Sequence, residues 1–385
     1  MLILALIIVF LMTVLASDIT QVSMVEYEAS ANVGKLTRLN YALEAALEVA
    51  KAHLVQDGID TDIDSLGDSW SQPIKLTLGG ESAESVEERA SETPPGGIEV
   101  TIEIEDEERK WPIALTNLGN DAQIRKRREF LAAVIDSYRE NYGGYDLDRG
   151  MADRYAEAIS AFLARKENDG GLVPRPTTKS EMHILNIADL SLIKELDDKT
   201  LFDEIDEKGD MVPGLLRYLT IWTDLKVNIN TAPLPVLRGL FRPEDRNSAE
   251  TIYNHRNAQT DEKEKKKQST EARLEEQTKG KEDEDRTGGA IFEKVSDIQK
   301  IEGIAARTFT EASGMMAVAS KTFSVWATAE LGPMSRTRHW VLRREGARIV
   351  MFLAETVDQD FRPRYRKARA DEEDAEGRPP QSGGR

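Results

Sequence analysis

Met1-Leu-Ile-Leu-Ala-Leu-Ile-Ile-Val-Phe-Leu-Met-Thr-Val-Leu-Ala16 carries no charge from end to end, and it runs on into Ser17-Asp-Ile-Thr-Gln-Val22 without a Pro or a Gly cluster. At about 1.5 Å per residue a helix over 1–16 spans roughly 24 Å, somewhat less than the roughly 30 Å hydrocarbon core of a bilayer. Beyond it, apolar or small residues continue at helical spacing through Val22, Val25, Ala29, Asn32/Val33, Leu36, Leu39, Leu43, Leu47, Ala50 and Leu54, with Gly34 standing alone. A cleaved signal peptide with Ala16-Ser17 as its small-residue site is the competing reading. It lacks a positively charged region ahead of the apolar run and should be followed by a break. The pattern therefore predicts one helix of about 50 residues, roughly 75–80 Å long. Its first part (1–20) is expected to insert in a membrane through Leu2, Ile3, Leu4, Leu6, Ile7, Ile8, Val9, Phe10 and Leu11. The amphipathic remainder (21–56) is expected to lie on a soluble domain.

The rest of the composition narrows the function classes. Fifty-one basic against 69 acidic side chains give a net charge of −18, which argues against tight sequence-blind nucleic-acid binding by the whole chain. With no cysteine, disulfides, thiolate metal sites and cysteine nucleophiles are excluded. At 385 residues the prior is two or three domains, or one domain with a large insertion.

Downstream of an acidic loop at 57–64, Ile74–Leu78 and Ile98–Ile104 alternate as half-buried strands. Residues 81–108 hold eleven acids and one base, Arg89. From about Asn120 to Met316 the periodicity is helical, as in Phe130–Tyr138, Tyr155–Leu163, Ile187–Phe202 and Leu234–Phe241. Strand patterns return at Thr322–Leu331, Thr337–Arg343 and Ala347–Ala354, joined by turns at Gly332-Pro333 and Arg344-Glu345-Gly346. The expected fold class is α+β. A long N-terminal helix packs on an antiparallel sheet (57–119 and 317–357), interrupted by an inserted all-α domain (120–316). Residues 258–288, with ten acids and eight bases, read as a charged flexible loop, and 358–385 as a disordered tail.

Three segments share one grammar: Leu225–Leu240 enters a helix with Asn230 or Thr231 as cap and Pro233 in its first turn, and Ile187–Leu196 and Phe292–Ile304 each suggest a short helix ending in a tight turn before another helix. This is the helix-hairpin-helix pattern, whose turn can offer backbone N–H groups to a phosphate. A membrane-anchored DNA-binding protein of a DNA-uptake system is thus the alternative function. Glu302 in one turn and Asp197 and Asp198 in another oppose it, because a phosphate would meet like charge there.

Several motifs in order carry a resemblance. The uncharged stem is followed by Asp64-Ser-Leu-Gly-Asp-Ser-Trp-Ser-Gln-Pro73, Ile104-Glu-Asp-Glu107, Leu219-Thr-Ile-Trp222, Val227-Asn-Ile-Asn-Thr-Ala-Pro233 and Phe292-Glu-Lys-Val-Ser-Asp-Ile298. Across residues 1–355, apart from 258–288, the chain resembles the general secretion pathway protein K family, the large minor pseudopilins of type II secretion systems. The resemblance implies a pilin-like fold with a helix-hairpin-helix (SAM-like) α-domain inserted. It also implies a structural role at the tip of a periplasmic pseudopilus, supporting protein export. The partners it implies are other minor pseudopilins of the tip complex, the inner membrane, and a prepilin peptidase where a leader precedes Met1. Localisation would be a single-pass bacterial inner-membrane protein with its bulk in the periplasm. Ala5 and its neighbours lack the glutamate of most pilin stems, as expected of a subunit with none ahead of it.

Ala29, Ser30 and Ala31, small enough for close helix approach, are the candidate partner-binding residues. The family's calcium-associated stretch corresponds to Phe162-Leu-Ala-Arg-Lys-Glu-Asn-Asp169, where Arg165 and Lys166 stand in place of carboxylates; no metal or other cofactor is expected. Nor is an enzyme expected. His53, His183, His255 and His339 show no metal spacing, and no nucleophile-elbow, Walker or dinucleotide motif occurs.

Overall fold

A computed structural model describes residues 2–79, 97–117, 120–141, 149–163, 187–205, 211–257 and 291–357. The charged segment 258–288 and the tail 358–385 lie outside these. Helix α1 runs unbroken over Leu2–Asp60, 59 residues. It packs on a five-stranded antiparallel sheet of β1 (Ile74–Leu78), β2 (Ile98–Asp106), β3 (Thr322–Leu331), β4 (Met334–Glu345) and β5 (Arg348–Val357), in that spatial order. Period-two alternation decides which sheet face is covered. Ile98, Val100, Ile102 and Ile104 of β2, Phe323, Val325, Ala327 and Ala329 of β3, and Trp340 and Leu342 of β4 form one core with Leu39, Leu43, Leu47, Ala50 and Leu54 of α1. Gly332 and Gly346 turn the last two hairpins with φ of +58° and +62°, a region glycine enters without strain. The second turn sits at Gly346-Ala347, one residue beyond the expected position.

The sheet covers less of the helix than the sequence pattern suggests. Burial begins at Leu39; every described side chain from Ile3 to Arg38 is exposed, including Val22, Val25 and Val33. Helical periodicity alone does not say where a covering surface ends. The sheet ends about 55 Å short of the N-terminal end of the helix.

Between β2 and β3 the chain makes a second core. Helices α2 (Asp121–Asn141) and α3 (Arg149–Leu163) pack with the short α4 (Asp198–Leu201), α5 (Leu234–Gly239), α6 (246–257) and α7 (Ala306–Ala312). Gly239 lets α5 meet α2 closely, since a Cβ there would lie 2.1 Å from Val134 Cγ2. The block is mainly helical rather than all-α. Trp111–Pro112 pairs in parallel with Leu219–Thr220, Val227–Asn228 in parallel with Met316–Ala317, and Glu204–Ile205 antiparallel with Met211–Val212. The expected helix at Ile187–Phe202 is a 3-10 turn, Ile187–Leu192, followed by α4. Asp189 and Ser191, which compete for backbone hydrogen bonds, fit poorly in a longer helix.

Leu43→Asp is expected to lower stability by about 3 kcal/mol or more, through an unpaired charge in a fully buried site. Val25→Asp, on the uncovered stretch, should leave the melting temperature of the folded body within about 2 °C. Calorimetry of both variants reads the boundary directly.

Candidate functional site

The motifs that carried the resemblance lie far apart in the chain, yet four of them meet where the end of α1, the sheet and the helical block join. Asp64 is fully buried. Its carboxylate accepts from the Ser320 amide at 2.7 Å and from Arg344 Nη2 at 2.6 and 2.8 Å. Arg344 also donates to Asp57 at 2.7 Å and to the carbonyls of Leu54 and Ser320, while its guanidinium lies over Phe323. Asp106, at the end of β2, accepts from the Glu108 amide and from the hydroxyls of Thr231 and Ser320, at 2.5–2.7 Å. Asn228 donates to Ser320 Oγ at 2.7 Å and to the Asp64 carbonyl at 3.1 Å, and accepts from the Asn230 amide. Asn230 in turn bonds both backbone groups of Phe292 at 3.0 Å. Trp70 closes the apolar side, edge-on to Phe323 at 5.2 Å.

Each residue type here follows from what burial demands. Buried polar groups must be hydrogen-bonded, and short Asn, Asp, Ser and Thr side chains reach neighbouring backbone without costing much rotamer entropy. The carboxylates of Asp57, Asp64 and Asp68 come within 4.8 Å of one another, as metal-binding carboxylates do. The Arg344 guanidinium pairs with the two that are buried, Asp57 and Asp64, and supplies the cation. Burial alone would lower the pKa of Arg344, but Asp64 and Asp57 more than offset it and hold the charge on. Burial pushes Asp57 up to about 6, and pushes Glu108 up to about 8 with help from the neighbouring Asp106 charge.

The predicted anchor residues Ile3, Leu6, Ile7, Phe10 and Leu11 are exposed on α1, between 50% and 76%. The side chains of Leu2, Leu4, Ile8 and Val9 lie outside the described residues. Among the described residues no helix is long and apolar enough to cross a membrane. Ala29, Ser30 and Ala31 are exposed on the uncovered part of α1. Ala29 precedes Leu43 by close to four turns and so continues the sheet-facing side, while Ser30 and Ala31 rotate away from it. Of the calcium-associated stretch only Phe162 and Leu163 are described; 164–169 lie outside. The Phe292–Ile304 segment forms a 3-10 turn, Val295–Lys300, and a tight turn at Gly303, with φ of +94°, before α7. A groove of about 910 Å³ beside it is lined by acids and bases together, among them Lys294, Asp297, Lys300 and Glu302. The sequence marked the convergent motifs without revealing that they touch. Their one visible signal was polar residues set between apolar ones, as in Val227-Asn-Ile-Asn-Thr-Ala232.

Neither a family model nor a curated protein matches the chain. Among solved structures, a chain of the GspK-GspI-GspJ complex from the type 2 secretion system of enterotoxigenic Escherichia coli is similar. The TM-score is 0.55 and the identity 13%, over 86% of this chain and 99% of that one. This protein thus has a pseudopilin-like fold, a long helix on an antiparallel sheet.

Arg344→Met is expected to cost about 3–5 kcal/mol by leaving buried carboxylates unpaired, and adding Asp64→Asn should regain part of it. A second prediction concerns Glu108. A raised folded-state pKa gives stability that is complete below about 4.5 and lost as pH rises to about 8. Glu108→Gln removes this loss. Its melting temperature should match the parent near pH 4.5 and exceed it by an amount equivalent to about 5 kcal/mol at pH 9.

Proposed function

We propose that this protein is a structural minor pseudopilin of a type II secretion pseudopilus, corresponding to general secretion pathway protein K, and that it occupies the pseudopilus tip. The observation that carries the reading is the uncovered stretch of α1, exposed at every described side chain from Ile3 to Arg38 and continuous with a stretch that packs on a sheet. A helix apolar on all sides is stable only when something covers it. Lipid around residues 1–20 and parallel stems of other minor pseudopilins beyond them provide that cover. The bulk of the protein would then face the periplasm.

Two further observations support the tip assignment. The ordered motifs resembling protein K meet in one buried junction, so they share a physical reason for occurring together. In addition, the helical block joins the pilin-like part near the C-terminal end of α1, where Asn228 bonds the Asp64 carbonyl and Asp64 bonds Arg344. A block at that end obstructs a further subunit from stacking above, while the opposite end of the helix is free to enter a bundle of stems. The role requires no catalytic group: the subunit acts by shape and by the surface it offers.

The test is co-purification of the full chain, in detergent, with the two other minor pseudopilins of the same secretion system. Both should be recovered with it. Ile19→Asp/Val22→Asp/Val25→Asp together should cut recovery at least tenfold without changing the melting temperature of the body. Recovery of neither partner by the parent chain would overturn the reading.

A further inference from the structure

The sheet face turned away from α1 is acidic, and the strand register shows how its charges are laid out. Residues paired across neighbouring strands share a face. Glu99 of β2 stands directly opposite Glu330 of β3, a like-charged cross-strand pair of the kind that destabilises a sheet. Four residues along β2, a second row runs from Glu103 through Trp326 and His339 to Glu355 of β5. Between the two lies a row of hydroxyl side chains, Thr101, Thr328 and Thr337, which ends at Val357 of β5. Thr337 is 1% exposed and Trp326 3%, although α1 lies on the other face. The helical block meets this face at Ser324, by way of Glu107 and Thr220, and at Arg343 and Phe352, by way of Asp224 and Trp222. These contacts fall two or more rows from Thr337 and do not reach it.

We propose that this face is the docking site of the chain's own basic segment, Phe361-Arg-Pro-Arg-Tyr-Arg-Lys-Ala-Arg369, which lies outside the described residues and holds five bases and no acid. Its starting point, reach and charge select it. The segment begins four residues after Val357, so the chain leaves β5 at the end of the threonine row, with an acidic row on either side. Residues 358–369 can extend about 40 Å, whereas β2 lies only about 14 Å from β5. Segments 80–96 and 258–288, also outside the described residues, carry more acid than base and would meet like charge on this face.

On this face Glu105 pairs with Arg109 and Lys110, and Arg343 with Asp224. The charge that meets the segment comes chiefly from Glu99, Glu103, Glu330 and Glu355, against Lys75 at the far edge on β1. A segment this polar cannot order itself by burying apolar surface, but it can settle on a surface of opposite charge. Single exposed ion pairs are weak and screened by salt, so the docking depends on several together. Arginine suits it, since one guanidinium can bind a carboxylate through two parallel hydrogen bonds. Docked, the segment covers Thr337 and Trp326 and relieves the repulsion between Glu99 and Glu330.

The experiment is hydroxyl-radical footprinting of the full chain in detergent, read by mass spectrometry at Trp326, with Trp340, buried on the α1 face, as the internal measure of an intact body. Removal of residues 358–385, and separately Arg362→Glu/Arg364→Glu/Arg366→Glu, should raise oxidation of Trp326 at least fivefold and leave Trp340 unchanged. Sodium chloride at about 1 M should raise it at least threefold in the parent chain, with no substitution made. Carbodiimide cross-linking of the parent should join Lys367 to Glu99, Glu103 or Glu330 within one molecule, as a mixture of isotopically labelled and unlabelled chains would show. Protection of Trp326 that survives truncation, or that salt leaves unchanged in the parent, means that something else covers the face and overturns the proposal. Cross-links formed mainly between labelled and unlabelled chains mean that a second copy occupies it, which overturns the proposal as well.

Discussion

The contact on which the rest of the structure depends is the one between Arg344 and Asp64. It is the point at which α1, the sheet and the helical block are held to one another, because the same Asp64 also receives the Ser320 amide and offers its carbonyl to Asn228. A buried ion pair is not by itself a source of net stability, since removing two charges from water costs about as much as their attraction returns. What it confers is uniqueness of arrangement. Asp64, Asp106, Asn228 and Ser320 are satisfied only in the one geometry that brings all of them together, and any slip of block against sheet leaves buried groups without partners.

Helix α1 shows how one periodic pattern serves two physical situations. From Leu39 to Leu54 its stripe is buried under the sheet, whereas from Ile3 to Leu36 the same spacing meets no surface of this chain. The transition falls where the sheet runs out, near Arg38, and no change in residue type announces it. The uncovered portion is apolar on all sides at first and then amphipathic. The Leu39 to Leu54 face is thus covered by this chain, while the apolar side chains before it are left exposed.

Much of the architecture was legible in the sequence for a simple reason: strands with one covered face alternate, and Ile98-Glu-Val-Thr-Ile-Glu-Ile104 does so without exception. The edges of the final strands were less legible, because Met334–Arg336 and Thr356–Val357 pair through backbone groups that no side-chain pattern records. The helical block was harder still. Asp189 and Ser191 interrupt a helical spacing with groups that favour turns, and two-residue bridges such as Val227–Asn228 with Met316–Ala317 are too short to leave a period. The junction was visible only as separate motifs. Nothing in the spacing of Asp64, Asn228 and Ser320 along the chain foretells that they meet, since contact over such separations is a property of topology.

The insertion between β2 and β3 has a consequence for the order of events in folding. These strands are immediate neighbours, with Asp106 opposite Phe323 in the register, though some two hundred residues separate them. Closing so long a loop from an unstructured chain carries an entropic cost that rises with the logarithm of its length. A helical block that has already folded brings its own ends together through two bridges in series, Trp111–Pro112 with Leu219–Thr220 and Val227–Asn228 with Met316–Ala317, and shortens the effective loop to a small fraction of its length. The rate at which the sheet closes is then set by a domain that contributes no strand to it. If the block folds first, the Leu39 to Leu54 face of the long helix stays uncovered until the sheet closes.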